Sequence, residues 1–125
     1  MRLLLDAHAL LWWLADDPSL DARARELIAD PANEIIVSAA TVWEIAIKQA
    51  LGKVAAPAGL ADAIDRSGFI EAPIIAVDAE NAAALEPIHR DPFDRMLVAQ
   101  AVRLRTAVVT RDQVFAQYGA ETVPA

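Results

Sequence analysis

The chain has 125 residues, a hydrophobic fraction of 56%, a formal net charge of −7 and no cysteine. That length suits a single domain over residues 1–125, the missing cysteines exclude a disulfide framework or a thiolate metal site, and the acidic balance excludes broad non-specific adhesion to nucleic-acid phosphate. Asp6, His8 and Asp16 break the longest apolar stretches well short of the ~18 residues a spanning helix needs, and the N-terminal stretch lacks an export pattern, so the expectation is a cytoplasmic protein without membrane contact.

In chain order, Arg2–Leu5 is a short apolar run ending in an acid and reads as a buried strand. Ala7–Ala15 has helix-forming composition, Asp17-Pro18-Ser19 is a turn, and Asp21–Asp30 is a polar helix closed by Pro31. The β-branched EIIVS between Asn33 and Ser38 is the clearest strand. Ser38 then caps a helix over AATVWEIAIKQAL, with Gly52 as its stop. A further helix is predicted over Gly59–Arg66, a strand at PIIAVD, and a helix at AENAAALEPI limited by Pro87.

Past the loop His89-Arg90-Asp91-Pro92, Pro92 takes a favoured first helical position for FDRMLVAQAVRLR. TAVVT reads as a strand, RDQVFAQYG opens a last short helix, and ETV adds an edge strand. Strands alternating with helices predict an α/β fold in three layers: a short, mostly parallel central sheet flanked by helices.

In such folds, sites form beyond the carboxyl ends of the strands, which is how the acids are sorted. Asp6 follows the first strand, Asp112 follows TAVVT, and Asp94 lies in the first turn of the helix before TAVVT. Asp78 also follows a predicted strand, so position alone does not single out three. Glu44 sits in an otherwise apolar helix, where Thr41, Glu44 and Lys48 share one narrow polar face able to line a cleft.

Each acid also has a plain structural reading. Asp91 and Asp94 fit helix capping, Asp112 fits a cap on the last helix, Glu44 and Lys48 fit a surface ion pair, and Asp6 fits a cap on the helix after it. Converging at one sheet edge, however, these carboxylates would raise one another's pKa values unless a cation sat among them. Oxygen ligation without cysteine or HExxH points to magnesium or manganese. Such a site also lowers formal charge by itself, so −7 leaves a nucleic-acid substrate open.

Four segments, LLLDAHALLWWL, SAATVWEIAIK, HRDPFDRMLVAQA and VVTRDQVFAQYG, resemble the PIN-domain ribonucleases, and within them the VapC-type toxins of toxin–antitoxin pairs. The resemblance implies a PIN-like fold and a metal-dependent endoribonuclease that inhibits translation and growth. Its acidic cluster falls on Asp6, Glu44, Asp94 and Asp112, which would bind Mg²⁺ or Mn²⁺ and hydrolyse RNA phosphodiesters. Ala7 departs from the family, where a hydroxyl residue often follows the first Asp.

Lys48, Arg95 and Arg111 are candidates to meet RNA phosphates, although Lys48 also suits neutralising Glu44. His8 reads as a packed or capping residue and His89 as a solvated loop residue. Leu10, Leu11, Trp12, Trp13 and Leu14 go round a whole helix, so some are candidates to line a groove or a dimer contact; the resemblance implies both a homodimer and a cognate antitoxin. Competing readings are a housekeeping nuclease of the same fold, and a catalytically inactive receiver-like or binding module.

Overall fold

In the computed structural model, which describes residues 1–125, strand β1 (Arg2–Leu5) lies at the middle of a five-stranded, wholly parallel sheet. In chain order come α1 (Ala7–Leu14), α2 (Ala22–Ala29), β2 (Glu34–Ser38), α3 (Ala39–Ala50), α4 (Leu60–Arg66), β3 (Ile70–Ala72), α5 (Ala76–Ala84), α6 (Pro92–Leu104), β4 (Ala107–Thr110), α7 (Val114–Gln117) and β5 (Thr122–Pro124). The strand order is β3-β2-β1-β4-β5.

Side-chain alternation along each strand divides the core into two apolar layers. Leu3 and Leu5 of β1, Ile35 and Val37 of β2, and Ala107 and Val109 of β4 face one way, against Leu10 of α1, Ala24 and Ile28 of α2, Ile45 of α3 and Ile64 of α4. Leu4, Ile36 and Val108 face the other way, against Leu97, Val98 and Ala101 of α6 and Phe115 of α7. Strands buried on both faces need continuous apolar runs, which accounts for the high hydrophobic fraction and makes LLL, IIV and AVV legible.

The caps form as their residue types dictate. Ser38 Oγ accepts the Ala40 N–H at 3.0 Å to open α3, and Asp21 Oδ1 accepts those of Arg23 and Ala24 to open α2. After α3, Gly52 takes φ +72°, the left-handed conformation that glycine adopts without strain.

One predicted element is corrected. PIIAVD is not a strand: the third strand is the preceding Ile70–Ala72, paired with Ile36–Ser38, and Ile74 and Ile75 are exposed. Pro73 has no N–H to give a ladder, and Asp78 Oδ2 accepts the Ile75 N–H at 3.1 Å, which starts α5 at Ala76. Asp78 therefore follows no strand end; it is fully buried and gripped by Arg103 through Nε at 2.6 Å and Nη2 at 2.9 Å.

The strand order places the site. From β1 the chain winds outward through β2 to β3, then crosses to β4 on the other side of β1 and on to β5. The connections leaving β1 and β4 diverge, and a crevice opens beyond the carboxyl ends of those two strands.

Candidate metal centre

Asp6 is the first residue past β1. Its N–H donates to the Val109 carbonyl at 3.2 Å, tying it to the end of β4, and its Oδ1 accepts the Ala9 N–H at 2.8 Å as the cap of α1. The capping reading of this acid is thus correct, and compatible with a ligand role, since a carboxylate accepts at two oxygens. Asp6 is only 7% exposed. Burial pushes its carboxyl above the usual range, and the nearby Glu44 adds to this, against hydrogen bonds from Thr110 and Ala9 and the influence of His8.

Asp112 follows β4. Its N–H donates to Thr110 Oγ1 at 3.0 Å and its Oδ1 accepts the Val114 N–H at 3.0 Å, so it braces the entry to α7 while remaining exposed.

Glu44 reaches the crevice from α3. It is 5% exposed, with Oε2 2.7 Å from Lys48 Nζ, so the pair is a buried carboxylate with a half-exposed partner rather than an ordinary surface pair. The carboxylate raises the Lys48 pKa.

Asp94 comes from the first turn of α6. Asp91 caps that helix, its Oδ1 accepting the N–H groups of Phe93 at 2.8 Å and Asp94 at 3.4 Å, with Pro92 at the first helical position. Burial raises the Asp94 carboxyl to about 6; Asp91 and Glu44 push the same way, and a hydrogen bond to His89 opposes them.

These side chains line one pocket of about 220 Å³, shared by Asp6, Glu44, Asp91, Asp94, Asp112, Lys48, His8 and His89. All four acids of the expected cluster are therefore brought together, as is Lys48. His89, read as a solvated loop residue, is instead part of the site: its Nε2 lies 2.9 Å from Asp94 Oδ2. Tyr118 Oη accepts the His89 N–H at 2.9 Å, and Arg95 Nη1 donates to the His89 carbonyl at 3.1 Å, so the loop is pinned over the first turn of α6. Its spacing five residues ahead of Asp94, across the capping turn, is the signal that marks it.

The other two basic residues read as phosphate contacts are committed to the fold. Arg95 donates to the carbonyls of Ala82, Ala83, Leu85, Glu86 and His89 and to Tyr118 Oη. Arg111 donates to the main-chain oxygens of Ala125 and Ser19, and its guanidinium sits 4.4 Å from the Trp12 ring. Held in this way, neither guanidinium lines the pocket of acids.

Within α1, Leu10 is fully buried in the core and is withdrawn from any surface groove. Leu11, Trp12, Trp13 and Leu14 are half-buried against the same core layer.

The donor set fits a divalent cation. Five carboxylates share the pocket with a single lysine, which is already tied to Glu44. Two of those carboxyls are held toward their neutral forms by burial and like charge, a cost that a hard cation would remove. His89, Asp94 and Asp112 each bring one ligand atom to within 4.8 Å of the others.

The family model described as the PIN domain matches residues 3–121. No curated protein sequence matches the chain. Among solved structures, the chain is similar to VapBC2 from Rickettsia felis bound to a DNA fragment from its promoter, with TM-score 0.67 and 15% identity over 98% of each chain. It is also similar to a toxin–antitoxin complex from Klebsiella pneumoniae, with TM-score 0.63 and 22% identity over 98% of this chain and 96% of that one. FitAcB from Neisseria gonorrhoeae matches with TM-score 0.62 and 18% identity over the same shares. At these identities the likeness is one of fold.

Proposed function

Because this chain belongs to the PIN-domain family, we propose that it is a metal-dependent endoribonuclease acting as the toxin of a toxin–antitoxin pair that inhibits translation and growth. The observation that carries this reading is the convergence of Asp6, Glu44, Asp94 and Asp112, from four separate elements, on one pocket at the point where the strand order reverses.

Asp6, Glu44, Asp94 and Asp112 would hold Mg²⁺ or Mn²⁺, which when bound supplies charge neutralisation at the phosphate and a more acidic attacking water. The chain's own residues do the rest. Asp6 is fixed by the Ala9 N–H and Asp94 by His89, so both carboxylates are preorganised. Lys48 compensates Glu44 and offers its ammonium at the pocket wall. Ala7 lines the pocket without a hydroxyl, and Asp112 carries the exposed side, where a polymer enters.

A cytoplasmic chain meeting RNA and a cognate antitoxin is consistent with the fold, and no helix is long and apolar enough to cross a membrane. Support for partners comes from the solved structures of like fold, one of which is described as a toxin–antitoxin complex, and from exposed apolar side chains. Trp43 and Ile47 of α3 and Leu51 at its C-cap stand exposed at four-residue spacing, and half-buried Leu11, Trp12, Trp13 and Leu14 add to the apolar surface available to an antitoxin or a second copy.

The test is cleavage of RNA by purified protein with Mn²⁺ or Mg²⁺ and with EDTA. The wild type cleaves only with metal, and Asp6→Asn and Asp94→Asn abolish cleavage while staying folded. Equal cleavage by variants and wild type sinks the assignment; no metal-dependent gain in thermal stability favours the inactive binding module.

A further inference from the structure

The pocket has a floor of acids, and Lys48, the one lysine that lines it, is paired with Glu44. Net charge is −7, and the guanidinium groups of Arg95 and Arg111 are held to main-chain oxygens outside the pocket. Beyond the charge that a metal, Lys48 or the exposed Arg90 beside the pocket can offer, affinity for the nucleotides flanking the cleaved bond can draw on a term that does not depend on charge. Base stacking is such a term, and it tolerates any base because every base has a π-face.

A surface suited to it borders the pocket. His8 sits in the first turn of α1, two residues after Asp6, is exposed, and lines the same pocket as the acids. Its ring stacks on Trp12 with centroids 5.5 Å apart and planes at 26°. Trp12 in turn carries the Arg111 guanidinium at 4.4 Å, and Arg111 is fixed by Ala125 and Ser19. The exposed imidazole thus rests on an indole that is itself held by the anchored Arg111 guanidinium. A merely solvated histidine has no need of such backing, whereas a stacking platform does, because order built in beforehand is not charged against binding.

We propose that His8, backed by Trp12 and Arg111, is the stacking platform for a nucleobase next to the scissile phosphate of single-stranded RNA. This rests on the endoribonuclease reading of the pocket and adds a substrate subsite to it. Discrimination by this subsite is for an unpaired base, since a base in a duplex has both faces covered.

The experiment follows cleavage of a short single-stranded oligoribonucleotide, and of the same oligonucleotide with one abasic residue placed in turn on either side of the cleaved bond. In the wild type, one abasic position raises KM about tenfold, the effect of losing one stacked base. His8→Ala raises KM about as much on the intact strand with little change in kcat, and the two perturbations together cost no more than either alone. His8→Phe restores the wild-type KM, because the π-face is what matters. His8 is exposed, so both variants fold, as thermal unfolding checks.

Cleavage indifferent to position 8, additive losses, or failure of His8→Phe to rescue overturns the platform while leaving the nuclease intact. A wild type that cleaves no RNA overturns the platform together with the reading beneath it.

Discussion

Asp94→Asn makes the metal-free protein more stable while abolishing its activity, and the size of the gain follows from the pocket. Burial and the neighbouring carboxylates of Asp91 and Glu44 raise the Asp94 carboxyl from 3.8 to about 6. At about 1.4 kcal/mol for each tenfold in a proton equilibrium, that difference is ~3 kcal/mol, and solvent at the pocket mouth reduces it to ~2 kcal/mol. Asparagine also removes a negative charge from the first turn of α6, where the helix dipole favours it by up to ~1 kcal/mol. The net expectation is a variant ~1–2 kcal/mol more stable than wild type in EDTA near neutral pH, or roughly 4–8 °C in Tm for a chain of this size.

The pH dependence separates this cause from others. Below about 3.8 the carboxyl is protonated in both the folded and unfolded chain and costs nothing; between 3.8 and about 6 the unfolded chain ionises first; above about 6 both are ionised and the full penalty stands. The stability that Asp94 withholds is therefore lost as pH rises through that window, and the gap between variant and wild type opens over the same range. Urea unfolding in EDTA between about pH 4 and 7.5 measures it. A variant less stable than wild type near neutrality, or a gap that does not change with pH, refutes the account of Asp94 as a carboxylate held under strain for a cation.

The contrasting acid is Asp78, where Asn leaves Arg103 without its bidentate partner. With that carboxylate fully buried, the change costs ~3–4 kcal/mol in urea unfolding and leaves Mn²⁺ affinity, followed by calorimetry, unchanged. Lys48→Met removes the cation that competes for Glu44, so Mn²⁺ binds more tightly while the metal-free chain is less stable, and an unchanged Mn²⁺ affinity refutes that competition. Arg95→Ala frees carbonyls at the end of α5 and in the His89 loop and lowers Tm, and Arg95→Lys fails to rescue because a point charge cannot span those acceptors. A rescue by lysine with normal RNA cleavage refutes that structural role.

The amino-acid order by itself determined the elements and the chemistry they carry. Apolar runs at Leu3–Leu5, Ile35–Val37 and Ala107–Val109 can be satisfied only by strands covered on both faces. Asp6, Ser38 and Asp91 announce the helices after them, because a side-chain acceptor beside free N–H groups is a local matter. Even the missed start of α5 was local, written in Pro73 and in Asp78 three residues after Ile75.

What only the tertiary structure decided are the relations between distant residues. That Asp6 and Asp112 share a pocket depends on β4 pairing with β1 rather than elsewhere, and no local pattern encodes strand order. Arg95 and Arg111 look alike in sequence to any phosphate-binding arginine, and it is the carbonyls folded round them that occupy them. His8 gains its backing from an arginine more than a hundred residues away, and Asp94 its raised pKa from burial beside residues of another helix. Periodicity and capping act over a few residues along the chain, whereas burial, like-charge crowding and stacking act through space, and only the completed fold sets those distances.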